Sequence, residues 1–229
     1  MKPAKAEKPA KPASKTALRR RADAVWEILE KVYPEAKCAL VFDTPLQLAV
    51  ATMLSAQCTD KRVNLVTPEL FRRYPDAEAF AAASQEEIEQ AIHSVGFFRN
   101  KARNIRALAA VLLERYGGEL PRDLETLVTL PGIGRKTANL LVSTLFDTPG
   151  LVVDTHFIRH TNRLGFVEAT RDPVFIERAM AEILPRGRWT LWGHLMISHG
   201  RAVCSARSPA CDRCPIAHLC PSAHENSRP

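Results

Sequence analysis

Nine residues near the middle of the chain, from Leu130 to Ala138, constrain its fold most strongly; they read Leu-Pro-Gly-Ile-Gly-Arg-Lys-Thr-Ala. Proline fixes one backbone angle and the two glycines carry no Cβ, so the chain can turn tightly here between two helices. We expect the second helix to begin near Gly134, with consecutive backbone N–H groups facing outward at its start. Such donors suit an anionic oxygen of a nucleic-acid backbone. The residues predicted to bind phosphate in this segment are Gly132, Ile133, Gly134 and Arg135.

Helix-capping patterns recur along the chain and predict an all-α fold. Thr44-Pro45, Thr67-Pro68 and Asp172-Pro173 each place a capping side chain before a proline that suits a first helical turn. Residues 84–87 read Ser-Gln-Glu-Glu, which is a capping box, and Gly117-Gly118 is predicted to end a long basic helix. The alternation of apolar and polar residues that is typical of a strand is absent over any useful length.

The positive charge of the chain is concentrated at its N-terminus. The net charge is +7 over 229 residues, yet the first 21 residues carry eight basic residues and one acidic residue, so the remainder is balanced. Residues 1–20 are rich in Lys, Pro and Ala and are predicted to form a disordered basic tail, with a second, short tail at 223–229. The basic tail either contacts phosphates without sequence preference or only keeps the chain soluble.

The apolar content and the absence of long apolar runs predict a globular protein that does not insert into a membrane. Apolar residues make up 46% of the chain, which is enough to build a core. No run of eighteen or more apolar residues and no signal-peptide pattern is found, so we expect no membrane partner and a cytoplasmic location.

The six cysteines divide into two groups. Cys38 and Cys58 stand alone and are interpreted as small apolar residues of the core. The other four fall within seventeen residues near the C-terminus, which in a reducing compartment indicates metal ligands rather than disulfides. Zinc and an iron–sulfur cluster both remain open, because only one short Cys-x2-Cys clip is present and structural zinc usually uses two. The four predicted ligands are Cys204, Cys211, Cys214 and Cys220.

An amine in the 130–138 segment is followed, eighteen residues later, by a carboxylate. Lys136 falls in the first predicted turn of the second helix, where the helix dipole and the neighbouring Arg135 disfavour an ammonium and partial burial in a cleft would add to the effect. Asp154 follows an apolar run and is placed to cap a helix over residues 155–162. A neutral amine suits nucleophilic catalysis, whereas a charged one would only pair with a phosphate, and the residues alone leave both interpretations open.

Three motifs occur together in a fixed order: the segment at 130–138, Val-Asp-Thr-His at 153–156, and Cys-x6-Cys-x2-Cys-x5-Cys at 204–220. Together they resemble the endonuclease III family of helix-hairpin-helix DNA glycosylases, and the likeness runs from about Trp26 to Cys220. The resemblance implies two helical lobes. One is a helical domain over residues 38–149 with the helix-hairpin-helix at about 123–146, and the other is an iron–sulfur cluster domain made of both chain ends, 21–37 and 150–222.

The family's chemistry gives each motif an expected role. The resemblance implies that Lys136 attacks the sugar carbon C1′, that Asp154 steadies the developing positive charge, and that the four cysteines hold a [4Fe-4S] cluster. The adenine-specific mismatch branch of the family has a Glu where this chain has Ala51 and usually lacks the Lys. We therefore expect a bifunctional enzyme of base excision repair that removes oxidised pyrimidines from duplex DNA and then cleaves the strand by β-elimination.

A base inside a duplex must be flipped out before this chemistry, and the vacated space must be filled. Gln57, at the end of an apolar helix, and Phe97, in a Gly-Phe-Phe-Arg turn, match family positions that enter the duplex. Phe97 and Phe98 each suit either a wedge between base steps or core packing. Arg201 is predicted either to contact phosphate or only to stabilise its lobe, and Arg207 is predicted to contribute to a phosphate-binding surface.

The expected partner is double-stranded DNA carrying oxidised bases or abasic sites, and we expect a monomer that works in the cytoplasm with the nucleoid. A second interpretation of the same motifs is a non-catalytic damage-binding module, because helix-hairpin-helix sequences also occur in proteins that only bind DNA.

Overall fold

The computed structural model describes residues 14–226, and within them the chain folds into twelve α-helices with no β-strand. Several short 3-10 turns join the helices. No helix in this part of the chain is long and apolar enough to cross a membrane. The helices are α1 Lys15–Val32, α2 Pro45–Leu54, α3 Asp60–Arg73, α4 Ala77–Ala82, α5 Gln85–Ile92, α6 Phe98–Tyr116, α7 Leu124–Leu127, α8 Arg135–Leu145, α9 Thr155–Arg163, α10 Pro173–Ile183, α11 Trp189–Ala202 and α12 Pro221–Asn226.

Two separate hydrophobic cores confirm the two-lobe prediction. The first core joins buried residues from Leu40 to Val142, so helices α2 to α8 form the first lobe. The second core joins buried residues of α1 with residues from Leu151 to Ile216, so both chain ends form the second lobe. The chain therefore leaves the second lobe after α1 and returns to it only after α8, and the two lobes meet along the 130–138 segment.

Most of the predicted caps are present, because they depend on residues close in sequence. Thr44 and Asp172 cap helices α2 and α10, and Ser84 forms the full capping box of α5 with Glu87. Gly117 ends α6 in the left-handed conformation. The prediction at Thr67-Pro68 is wrong, because both residues lie inside α3, which buries Thr67 and carries Pro68 in its interior.

The two chain ends are more helical than the sequence indicated. Helix α1 begins at Lys15, so the last six residues of the predicted basic tail belong to it. Its start is tied to α10, because Lys15 lies 2.8 Å from the Glu182 carboxylate and Arg19 donates to the Glu182 carbonyl at 3.0 Å. Helix α12 likewise extends into the predicted tail at 223–229. Residues 1–13 and 227–229 lie outside the described part of the chain.

Candidate active site

A cleft between the lobes brings the predicted amine and carboxylate to one surface. It encloses about 1210 Å³ of space that opens to solvent, and residues of both lobes line it. Lys136, in the first turn of α8, comes from the first lobe, and Asp154, the N-cap of α9, comes from the second. Gln57 and Arg201 line the same cleft. The four residues, which the sequence places up to 144 positions apart, therefore share one site.

The 130–138 segment forms the predicted turn, which we call the hairpin. Gly132 has a φ of +74°, and a Cβ built on it would lie 2.5 Å from Met53 Cε and 3.0 Å from Asn104 Cβ, so glycine is required there. Gly134 is the N-cap of α8 and has open space where a Cβ would stand. Ile133 differs from the prediction, because its side chain is buried and its N–H donates to the Leu130 carbonyl at 3.1 Å. It supports the turn and offers no free N–H to a phosphate.

The charges around Lys136 also differ from the expectation. The Lys136 side chain is exposed, so the partial burial expected in a cleft is not present. Arg135 is not free to repel Lys136 or to bind phosphate, because its guanidinium makes two hydrogen bonds, of 2.9 and 2.7 Å, to the Glu177 carboxylate of α10. This ion pair joins the helix that carries Lys136 to the second lobe. Asn139, one turn further along α8, also donates to Glu177, at 3.4 Å.

Asp154 caps α9 as the sequence predicts, and its Oδ1 accepts a hydrogen bond of 2.7 Å from the Phe157 N–H. Asp154 also lines the cleft, together with the partly buried His156. Burial lowers the pKa of His156, so its imidazole is neutral near pH 7. Arg159 donates to His156 Nδ1 at 2.9 Å and to the Cys204 carbonyl at 3.1 Å. The Arg159 guanidinium therefore connects His156, which lines the cleft, to the cysteine-rich segment.

The two predicted duplex-entering residues are both exposed and both adopt the left-handed backbone conformation. Gln57 has a φ of +53° and Phe97 a φ of +48°, and the Phe97 side chain is 66% exposed. Phe98 instead packs against the first core and lies 4.6 Å from the His93 ring, centroid to centroid. Core packing is thus excluded for Phe97 and observed for Phe98.

The two predicted phosphate-binding arginines of the second lobe have different surroundings. Arg201 lines the cleft and donates to the Asp60 carboxylate at 2.8 Å, which joins α11 to α3 of the first lobe. Arg207 is exposed in the loop between Cys204 and Cys211. Neither side chain is buried, so both are accessible to a ligand, but only Arg201 lines the cleft.

The four clustered cysteines surround one cavity of about 420 Å³, whose lining surface is apolar. Burial raises the pKa of the Cys214 and Cys220 thiols, and the neighbouring cysteines add to the effect. Thiols gathered in this way repel one another as thiolates, and a positively charged metal group would relieve that repulsion. Four cysteine thiols around one cavity suit either an iron–sulfur cluster or a zinc ion.

The wall of this cavity supplies further groups that suit a bound cluster. Arg163 donates to Cys204 Sγ at 3.1 Å and to the carbonyls of Ser205 and Ala206, which fixes the loop that follows the first cysteine. His160 also lines the cavity, and neither of its ring nitrogens has a hydrogen-bond partner among the residues that the structure describes. A buried imidazole without a hydrogen-bond partner and an arginine that donates to a cysteine sulfur both suit a polar group bound in this cavity.

Comparisons with known proteins agree with this geometry. Residues 50–186 match the family model described as HhH-GPD superfamily base excision DNA repair protein, and residues 204–220 match the iron–sulfur binding domain of endonuclease III. The fold and the cleft thus define a helix-hairpin-helix protein of base excision DNA repair. The second match decides between zinc and iron–sulfur in favour of a [4Fe-4S] cluster.

Individual relatives narrow the assignment further. The chain is 52% identical to an Endonuclease III from Synechocystis sp., over 90% of this chain and 94% of that relative, and 45% identical to one from Bacillus subtilis, over 82% and 86%. Two solved structures, a non-covalent Endonuclease III–DNA complex and a trapped Endonuclease III–DNA covalent intermediate, each superpose with a TM-score of 0.88 at 43% identity. They cover 92% and 94% of this chain and 99% and 100% of their own. The chain belongs to the endonuclease III family.

Membership decides between the two functions that the sequence left open. The chain is an enzyme, a DNA glycosylase that also has lyase activity at apurinic or apyrimidinic (AP) sites, and the non-catalytic alternative is not supported. DNA is its binding partner.

Three residues with roles at this site escaped the sequence analysis: Glu177, Arg159 and Lys101. Each has a hydrogen-bond partner between 42 and 47 residues away in sequence, and local patterns do not reveal such contacts. A weak signal existed only for Lys101, whose charge interrupts an otherwise apolar face of the helix that begins at Phe98.

Proposed function

We propose that this enzyme removes oxidised pyrimidines from duplex DNA, and cleaves abasic sites, with Lys136 as nucleophile and Asp154 as its electrostatic partner. The observation that carries the proposal is that these two side chains, one from each lobe, line the same open cleft. The capping role of Asp154 explains its place at the start of α9, but it does not explain why a lysine of the other lobe lines the same cleft. Their shared position is best explained by a reaction at a substrate held between the lobes.

The reaction begins when Lys136 gives up a proton, to Asp154 or to water, and its amine attacks C1′ of the flipped nucleotide. A bond forms between Nζ and C1′, the bond between C1′ and the base breaks, and the base leaves with the electron pair and takes up a proton. The sugar ring then opens to a Schiff base between Nζ and C1′. Loss of a proton from C2′ expels the 3′-phosphate, and water releases the lysine from the nicked product. The first two steps excise the base, and the later steps are the AP lyase activity.

Asp154 contributes where positive charge develops. The sugar carbon becomes cationic as the base departs, and a carboxylate held by the Phe157 N–H at 2.7 Å is fixed in place to stabilise that charge. The capping bond uses one carboxylate oxygen and leaves the other for the cleft. Capping and catalysis therefore use different atoms of the same side chain.

The exposed residues around the cleft account for the approach of DNA. The N-terminus of α8, with the open space beside Gly134, is placed for a phosphate oxygen, while Arg201 and Arg207 are placed for phosphates near the second lobe. Gln57 and Phe97 are placed to fill the space of the flipped base, since an amide can bond an orphaned base and an aromatic ring can wedge a base step. Arg135 is left out of these contacts because its guanidinium donates to both Glu177 carboxylate oxygens, whereas Arg201 donates one hydrogen bond, to Asp60.

The cysteines around the apolar cavity are proposed as the cluster ligands: Cys204, Cys211, Cys214 and Cys220. The bound cluster supplies a cross-link among four points of a segment whose own helices are a single turn long or shorter, and so it stabilises the loop that carries Arg207. We propose that the enzyme works at the nucleoid, where duplex DNA is found. We propose a monomer, because residues of both lobes of a single chain complete the cleft.

Borohydride trapping tests the assignment of Lys136. The holoenzyme is incubated with a duplex that contains an oxidised pyrimidine or an abasic site, and borohydride reduces any Schiff base to a stable covalent adduct. Lys136→Gln should abolish the adduct while it retains binding to the duplex. Lys61→Gln, which removes an exposed lysine from α3, is the matched control and should trap like the parent. An adduct of parental yield in Lys136→Gln would contradict the proposal.

Trapping on the two substrates also separates the activities. Asp154→Asn should reduce excision from the oxidised base more than trapping on a preformed abasic site, since only the first reaction builds the sugar cation that accompanies base departure. Equal losses on both substrates would show that Asp154 acts on a step common to both, such as proton removal from Lys136.

A further inference from the structure

Lys101 is the one residue of helix α6 that places a charge inside the first core. Its side chain is only 6% exposed. The ammonium donates two hydrogen bonds, one of 2.8 Å to the Leu54 carbonyl and one of 3.0 Å to the Val95 carbonyl. Burial lowers the pKa of Lys101, while the nearby Cys58 opposes the shift. Burying an ammonium is costly, and a neutral side chain of similar length would pack in this core at a lower cost. The presence of a lysine therefore indicates a role for its two hydrogen bonds.

The two carbonyls belong to the two turns that carry the predicted duplex-entering residues. Leu54 is the last residue of α2, and Gln57 follows it by three positions. Val95 ends the short 3-10 turn before Gly96, and Phe97 follows it by two positions. One ammonium thus connects two turns that are about forty residues apart in the sequence.

Both turns hold a strained backbone. Gln57 and Phe97 are non-glycine residues with φ of +53° and +48°, a strained conformation that persists only where the surroundings fix it. The carbonyl of Leu54 is among the last of its helix and has no intrahelical partner, so the Lys101 ammonium also satisfies an otherwise unpaired buried acceptor.

The two side chains open onto one groove beside the hairpin. Gln57, Phe97, Lys101 and Gly132 all line this groove, which encloses about 850 Å³ of space that opens to solvent. The spacing of Gln57 and Phe97 across the groove is therefore set by the turns that Lys101 joins.

We propose that Lys101 is a positioning residue that holds the Gln57 and Phe97 turns at a fixed separation, so that the amide and the ring enter the duplex as one unit. The inference rests on the proposed function, which has both residues entering DNA, and deepens it by naming what sets their geometry. Lys101 itself does not touch the substrate, since its ammonium is occupied by main-chain carbonyls. It acts before catalysis, on the insertion that accompanies flipping.

Lys101→Met tests this role, because methionine keeps the length of the side chain and removes the donor. The full-length holoenzyme is bound at saturating concentration to a duplex in which 2-aminopurine lies opposite a tetrahydrofuran abasic analogue that cannot be cleaved. Insertion of a wedge unstacks the 2-aminopurine and raises its fluorescence. We expect a clearly smaller rise with Lys101→Met than with the parent, and a parental rise with Lys31→Met, which removes an exposed lysine at the end of α1.

A second readout follows excision of an oxidised pyrimidine from duplex DNA in a single turnover. We expect Lys101→Met to slow it roughly tenfold to hundredfold, because displacing a positioning contact by about 1 Å has effects of that size. In a double-mutant cycle, Phe97→Ala should cost less in the Lys101→Met background than in the parent, because the ring is already misplaced. If Lys101→Met does not fold, Lys101→Gln, which keeps an N–H donor for one carbonyl, takes its place.

The outcomes separate this inference from the proposed function. Fluorescence and excision equal to those of Lys31→Met, or a fully additive cycle with Phe97→Ala, would overturn the role of Lys101 while leaving Lys136 as nucleophile. A parent protein that forms no trapped adduct would overturn the proposed chemistry, yet the fluorescence on the uncleavable duplex would still report on Lys101. A simple loss of stability would lower the melting temperature and leave the fluorescence at saturation unchanged.

Discussion

Replacing Gly132 with alanine tests whether the hairpin turn is held as tightly as the structure indicates. The residue has a φ of +74°, which an L side chain adopts at a cost of about 1–2 kcal/mol. The new methyl would also lie 2.5 Å from Met53 Cε and 3.0 Å from Asn104 Cβ. Met53 is buried but flexible at its end, so it can repack, whereas Asn104 is held by helix α6.

Adding repacking of about 1 kcal/mol or more to the backbone strain gives a loss of about 2–4 kcal/mol in the free energy of unfolding. Equilibrium urea unfolding of the holoenzyme, followed by circular dichroism, measures this loss directly.

Gly134→Ala is the matched control within the same turn. Gly134 has an ordinary φ of −86° and open space around the position of a Cβ, so alanine should cost at most about 1 kcal/mol as a poorer N-cap. The same methyl would stand where a phosphate is proposed to approach, so Gly134→Ala should weaken binding to duplex DNA although the protein remains stable. Equal stability losses for the two variants would refute the account of the hairpin.

Three further predictions follow from contacts around the cleft and the cavity. Glu177→Gln should lower the free energy of unfolding by about 1–2 kcal/mol, because it removes the negative charge that pairs with Arg135. In a double-mutant cycle measured by urea unfolding, the loss should be smaller in an Arg135→Met background. Burial lowers the pKa of His160 to about 2, so the native protein leaves this imidazole neutral while the unfolded chain protonates it below its ordinary value of 6.5. The stability that depends on a neutral His160 is therefore present above pH 6.5 and is lost as the pH falls toward 2. His160→Leu should reduce the slope of the unfolding free energy against pH in this range by up to about 1.4 kcal/mol per pH unit. An unchanged slope would contradict the prediction. Because burial raises the pKa of Cys214 and Cys220, cluster assembly in the iron-free protein, followed by absorbance, should become faster as the pH rises above 7, and a rate that does not change with pH would speak against their ligand role.

The parts of this fold that the sequence predicted are those set by neighbouring residues. The capping box at Ser84, the stop at Gly117 and the cap at Asp154 each depend on side chains within four positions of the backbone groups they satisfy. The pairing of Lys136 with Asp154 in one cleft was expected from the resemblance of three motifs in order, not from local signals. Composition alone would not have shown that both chain ends build the second lobe.

The errors have a common physical cause, which is packing between distant segments. Thr67-Pro68 has the same local pattern as Thr44-Pro45, but α3 continues through it because its buried face, including Val63 and Leu70, packs against the first core. Arg135 was expected to bind phosphate because its partner Glu177 lies 42 residues away and only the meeting of the lobes brings them together.

The choice between Phe97 and Phe98 depended on a backbone angle rather than on residue type. Two adjacent phenylalanines have the same hydrophobicity, and the left-handed conformation of Phe97 is what turns its ring outward while the ring of Phe98 faces the core. The role of Lys101 depends on its contacts with the Leu54 and Val95 carbonyls, which the charge pattern of α6 does not predict.

Peptide mapping of the trapped adduct identifies the nucleophile in the unmutated enzyme, and it is needed because the chain has other amines, including several lysines in its N-terminal residues. The parent enzyme is trapped with borohydride on an abasic duplex, digested with a protease and nuclease, and analysed by mass spectrometry for the sugar-modified peptide. The modification should fall on Lys136. A modification on any other amine, with Lys136 recovered unmodified, would contradict the assignment of the hairpin lysine as the nucleophile.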